Sequence, residues 1–336
     1  MFAIARSTGI IARAALCLAA LALGGPACAD GFDVLRNLRR GVNILGYDGV
    51  WKGEIDAPFR AGDFKLIRDA GFDHVRVNFF GFRYMGAQDQ LDERVLARLD
   101  KVIDSALAAN LTPVLDQHDN SMCQREPAGC KTKLANFWRQ IAARYLDKKP
   151  RLVFEILNEP GGKMPAEDWN DAQNHVLEII RTIDKRRTII VAALNAGAIR
   201  DIEKLKLPDA DRNLIVTIHY YEPMNFTHQG ASWSRQYSAL RDVPWGDEGS
   251  QAKLAAEFRI AANWGQERHR PIYLGEFGVY DKAPVASRAA WMQSVARSAE
   301  KLGWGWAYWQ FDHDFALFNS ATHAWNQPLL DALMKK

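Results

Sequence analysis

Long apolar runs, a surplus of one charge and a supply of cysteines are all missing from this chain of 336 residues. The most apolar stretch, Ala14 to Leu23, falls well short of the roughly 20 residues that a membrane-crossing helix needs. Lys and Arg number 43 against 40 Asp and Glu, a formal charge of +3. Nothing in that balance calls for nucleic acid or an anionic membrane. There is no internal repeat, low-complexity tract or Pro/Ser-rich linker, so no appended binding module is expected. The first strand candidate, Gly41-Val-Asn-Ile-Leu-Gly46, lacks the glycine pattern of a dinucleotide-binding turn. It also lacks the His-x-His pair of metal-dependent barrel hydrolases.

Four cysteines are present, and two of them, Cys17 and Cys28, lie near the start. There Arg6 and Arg13 precede the apolar run, and Ala27-Cys28-Ala29 follows it. A charged segment, a short apolar segment and an A-x-A site make residues 1–29 a secretory signal peptide. Gly25-Pro26-Ala27 before Cys28 is a poor lipoprotein signal. Cleavage after Ala29 leaves a domain of residues 30–336 with a charge of +1, secreted or periplasmic and no longer tied to a membrane. Its remaining cysteines, Cys123 and Cys130, fall in one expected loop. In an exported chain they read as a disulfide pinning that loop. Zinc would need two further ligands, and only His118 lies near.

What the sequence does contain is alternation. Short β-rich runs at 41–45, 74–80, 112–118, 152–158, 188–194, 214–221, 271–277 and 305–311 alternate with helical patterns at 58–70, 91–109, 133–146, 165–184, 199–206, 251–267, 286–302 and near 327–334. Eight such units predict an α/β fold, a single (β/α)8 TIM barrel. Active sites of that fold form at the carboxyl ends of the strands. Those ends offer Arg76, His118, Asn158, Glu159, His219, Tyr221, Glu276 and Trp309. Singly, each has a structural explanation; together they are too much polarity to bury idly. The fourth run, Leu152-Val-Phe-Glu-Ile-Leu-Asn158-Glu159-Pro160, is interrupted by Glu155 and ends on an acid. Glu276 ends the seventh. Two carboxylates facing each other suit glycoside cleavage, in which one protonates the leaving oxygen and the other attacks the anomeric carbon. The 11 tryptophans, with Trp304, Trp306 and Trp309 clustered at strand eight, offer faces on which a sugar ring stacks. The long segment Glu222–Ser250, which contains Trp233, has the length of a functional loop.

Leu157-Asn158-Glu159-Pro160, Gly275-Glu276-Phe277-Gly278, His219-Tyr220-Tyr221, Val75-Arg76-Val77 and Trp309 together resemble glycoside hydrolase family 5, the retaining β-glycanases that include cellulases. The resemblance covers residues 38–333. It implies Glu159 as acid/base and Glu276 as nucleophile, the latter kept ionised by hydrogen bonds from Arg76 and Tyr221. It implies Asn158 on the sugar 2-hydroxyl, His219 beside the acid/base, His118 as a sugar contact and Trp309 beneath the sugar. Trp233, with Phe226-Thr-His-Gln-Gly230, matches more loosely. Retention implies carboxyl groups about 5–5.5 Å apart. Endo-β-1,4-glucanase is the expected activity, with β-mannan, xyloglucan or mixed-linkage glucan as alternatives. A monomer without cofactor or metal is expected, acting on a β-linked polysaccharide or oligosaccharide. Two readings from other classes are a barrel that binds carbohydrate without cleaving it, and a metal-dependent hydrolase using Asp312-His313-Asp314.

Overall fold

In the computed structural model, which describes residues 30–54 and 57–335, all eight expected strands form. They are β1 (Arg40–Ile44), β2 (His74–Phe79), β3 (Thr112–Gln117), β4 (Val153–Glu155), β5 (Ile189–Ala192), β6 (Leu214–Tyr220), β7 (Ile272–Phe277) and β8 (Gly305–Tyr308). Each pairs in parallel with the next, and β8 closes on β1. Helices wrap the outside, as the alternation predicts for a single (β/α)8 TIM barrel. The proposed signal peptide, residues 1–29, lies outside the described residues. Among those described, no helix is long and apolar enough to cross a membrane.

Side chains on a strand alternate faces, and that alternation stacks the barrel interior in layers. At the base, Val114, Val153, Ile190, Ile215, Tyr273 and Ala307 form one apolar cluster with Leu35 and Leu38. The last two come from the helix Gly31–Leu35 and the turn after it, which cover the strands' amino ends. Two residues further along three of these strands stand Asp116, Glu155 and Trp309. The interior thus passes from apolar base to buried polar middle to cleft.

Three local differences from the sequence reading have physical causes. The expected strand 152–158 pairs only over Val153–Glu155, and its continuation is held singly: Asn158 N–H donates to the Gln117 carbonyl at 2.9 Å, and Trp138 Nε1–H to that of Ile156 at 2.9 Å. The pattern at 199–206 forms a 3-10 helix over Ile199–Lys204. Cys123 and Cys130 do form a disulfide, with Cα atoms 4.7 Å apart. It joins two helices rather than pinning a loop: Ser121–Arg125, and Pro127–Tyr145 with its proline in the first turn.

Candidate active site

Arg76 sits mid-strand in β2, fully buried, and organises the polar layer. Its Nε and Nη2 donate to both oxygens of Glu155 at 2.8 and 2.9 Å. Nη1 donates to Glu276 Oε1 at 2.6 Å and to Asn43 Oδ1 at 2.8 Å. Nη2 also reaches Asn158 Oδ1 at 2.9 Å and Asp116 Oδ2 at 3.1 Å. One guanidinium therefore faces three carboxylates, of Asp116, Glu155 and Glu276. A planar five-donor fork can do this; an ammonium group cannot. Burial pushes the Glu155 carboxyl up to about 7, against the attraction of Arg76. Burial also opposes the charge on Asp116, but Arg76 and His118 override it and hold that carboxyl below its ordinary value.

Glu276 reaches this cluster through an irregularity. Leu274 is level with Ile218 of β6, yet Glu276 is level with His219, so Gly275 is skipped. The bulge turns Glu276 from its expected outward parity toward the barrel axis. Glycine is needed on both sides of it. A Cβ on Gly275 would lie 2.4 Å from Thr217 Oγ1, and one on Gly278 would lie 2.2 Å from the Trp309 carbonyl oxygen. Tyr221 O–H donates to Glu276 Oε2 at 2.9 Å, completing its clasp opposite Arg76.

Glu159 is set differently. Its backbone is left-handed at φ 44°, a conformation that costs a non-glycine residue on the order of 1 kcal/mol or more. Gln124, in the disulfide-linked helix Ser121–Arg125, braces it: Nε2 donates to the Glu159 carbonyl at 3.1 Å. Its carboxyl meets His219 Nδ1 at 3.0 Å and has no arginine partner among the described residues. Burial pushes its pKa up, and its neighbours His118 and Arg76 only partly oppose that. Burial likewise pushes His219 down to about 4, so this neighbour is neutral at ordinary pH. One acid is thus clasped by a cation and a phenol, while the other, partly open to the cleft and without a cationic clasp, is pushed toward its protonated form.

The two are close. One ligating atom each of Glu159, His219 and Glu276 lie within 4.8 Å of one another. Such a trio has the donors for a divalent cation, but Arg76, 2.6 Å from Glu276 Oε1, sets a fixed positive charge against an ion held there. Asp312 is buried, accepts from Ser320 Oγ at 3.2 Å and is pushed up by burial, which suits a structural hydrogen bond better than a cation ligand.

All of the strand-end residues named from the sequence converge here. His118, Asn158, Glu159, Tyr221, Glu276 and Trp309 line one cavity of about 760 Å³, which Trp233 and His219 also border. Trp309 lies nearly parallel to the His118 ring, centroids 5.4 Å apart at 5°, and Tyr47 meets its edge at 6.2 Å. Trp233 is 55% exposed and stands against Tyr280 at 4.8 Å. Arg76 lies beneath the cavity rather than at its rim. The sequence reading missed Asn43, Asp116 and Asn78, and it took Glu155 for an interruption. Parity was the available signal for three of them: Asn78 falls two positions after Arg76, Asp116 two before His118 and Glu155 four before Glu159, whereas Asn43 lies on a strand that carries no recognised residue.

A sequence model of the family Cellulase (glycosyl hydrolase family 5) matches residues 30–314. Endoglucanase H of Acetivibrio thermocellus is 28% identical over 322 residues, 92% of this chain and 34% of that protein. Endoglucanase C of the same organism is 25% identical over 342 residues, 89% of this chain and 99% of that one. The chain thus spans about a third of the first relative and nearly all of the second. Among solved structures, Thermotoga maritima Cel5A in complex with cellobiose has 37% identity and a TM-score of 0.85, covering 91% of this chain and 100% of its own. The same enzyme has been solved with mannotriose.

Proposed function

Since the chain belongs to the cellulase family, glycosyl hydrolase family 5, and is a glycosidase, we propose that it is an exported, monomeric, retaining endo-β-1,4-glucanase. Glu276 attacks the anomeric carbon as Glu159 passes its proton to the leaving glycosidic oxygen, which breaks the chain and leaves a glycosyl ester on Glu276. Glu159, now a carboxylate, takes a proton from water as that water attacks the same carbon and frees Glu276. Asn158 and His118 hold sugar hydroxyls, Trp309 lies under the ring, and Trp233 offers a second aromatic face further along the cleft. Arg76 and Tyr221 stabilise the nucleophile's charge before attack.

The observation that carries this reading is the pair of carboxyls within 4.8 Å in opposite surroundings. That separation favours direct attack over the roughly 6.5–9.5 Å that an interposed water requires. The name and near full-length match of endoglucanase C support glucan as the substrate. The mannotriose complex of a 37% identical enzyme supports β-mannan as the second substrate to try. The test is a panel of defined β-glucans and mannans with product sizing and NMR of the first-formed anomer, run beside Glu276→Ala. Mid-length oligomers released with retained configuration, and none from the variant, are expected. Inverted product, or equal activity in the variant, overturns the assignment. Export is tested by sequencing the amino terminus of the released protein, expected at Asp30.

A further inference from the structure

Asp116 has no place in the mechanism above, yet it is fully buried and makes the shortest polar contact of the floor. Its Oδ2 lies 2.5 Å from His118 Nδ1, with Asn78 Nδ2 at 3.2 Å and Arg76 Nη2 at 3.1 Å. The direction of the short contact follows from counting hydrogens. The carboxylate only accepts, so the proton must be on Nδ1. Asn78 Nδ2 also lies 3.2 Å from that nitrogen, but its two hydrogens are taken by Asp116 Oδ2 and by Asn43 Oδ1 at 3.1 Å. Nothing else competes for Nδ1 among the described residues. Nε2, the other ring nitrogen, makes no hydrogen bond among them, and the ring borders the cleft beside Trp309.

We propose that Asp116 is a positioning residue that fixes His118 as its Nδ1–H tautomer, so that Nε2 meets a sugar hydroxyl as a hydrogen-bond acceptor. A carboxylate behind a working imidazole sets which nitrogen faces the ligand. Here the same carboxylate also receives Arg76, so the sugar-facing histidine and the arginine that clasps Glu276 share one anchor. The proposal rests on the cleft being a β-glycan site, and it assigns the hydroxyl one polarity of contact: the sugar donates.

The test compares wild type, Asp116→Ala, Asp116→Asn, His118→Ala and the double variant Asp116→Ala/His118→Ala on one cello-oligosaccharide, with 15N NMR of labelled histidines followed upward in pH until the His118 pattern stops changing. In the wild type, the resonance that His118→Ala removes should report protonated Nδ1 and bare Nε2. Asp116→Ala frees the Asn78 amide to donate to Nδ1 and should reverse that pattern. Its kcat/KM should fall about threefold to tenfold, the scale of one hydrogen bond, with the loss on KM. Asp116→Asn, whose amide oxygen still accepts from Nδ1, should keep the wild-type tautomer and KM. In the His118→Ala background, Asp116→Ala should add nothing. Protonated Nε2 in the wild type, an unchanged KM in Asp116→Ala, or additive effects that route Asp116 through Arg76 would each overturn the proposal. If Asp116→Ala does not fold, the wild-type tautomer still decides. Wild type inactive on every glycan would instead sink the functional reading, which the Glu276→Ala comparison tests separately.

Discussion

At the scale of single residues, the two glutamates differ in what holds them, and that difference has kinetic consequences. The raised pKa of Glu159 keeps it an acid above the ordinary carboxyl range, so the alkaline limb of kcat/KM should follow it. Glu159→Gln should remove that limb and cost about 10²- to 10⁴-fold on glycans, the scale of general acid catalysis. Aryl glycosides whose leaving group needs no proton should still acylate the enzyme. A pH–rate series on both substrates checks this; equal losses on the two would refute the role. Arg76 carries the opposite risk. Replacing it with Met strands three carboxylates in a dry layer, and a stability loss of about 3–5 kcal/mol is expected by chemical denaturation. Glu159 and Glu276 were legible in the sequence because each closes an apolar run beside turn residues. Asp116 and Glu155 were only half legible, because parity turns them inward but a lone acid inside such a run looks the same whether it pairs or intrudes. Only the facing strands supply its partner.

At the scale of elements, strand and helix order followed from periodicity, but the features that aim the chemistry did not. The bulge at Gly275 depends on the register between β6 and β7, which no local pattern encodes. The disulfide was legible as a pair, yet its setting was not, although Pro127 is a fair sign of a helix start. Bridging residues seven apart should contribute about 2 kcal/mol by restricting the unfolded chain. Serine at both positions should lower the melting temperature accordingly. It should also lower kcat, because the helix Ser121–Arg125 carries the Gln124 brace on Glu159. Calorimetry and steady-state rates on the double variant check both, and an unchanged kcat would show that the brace holds without the bridge.

At the scale of the whole molecule, buried titratable groups tie stability to pH in opposite senses. His219 and His228 are both pushed down to about 4 by burial, whereas an unfolded histidine takes its proton near 6.5. Between those values the unfolded chain binds more protons, so the stability these residues give declines as pH falls from about 6.5 to about 4. Glu155, raised to about 7, binds more protons folded than unfolded, and its contribution declines as pH rises toward that value. His228→Gln should therefore flatten the acid side of the melting-temperature profile, and Glu155→Gln the side approaching neutrality. A calorimetric series from pH 4 to 8 separates them; parallel profiles would contradict both shifts.

The base of the barrel has a geometric consequence of its own. Asp30 caps the helix that covers the strands' amino ends, and Gly31 N–H is bound to the Arg212 carbonyl just before β6. Glu159 and Glu276 stand at the opposite pole. A resin, a carrier domain or an electrode joined through residue 30 would therefore leave the catalytic face pointing away from its support, free to meet a polymer too large to turn around.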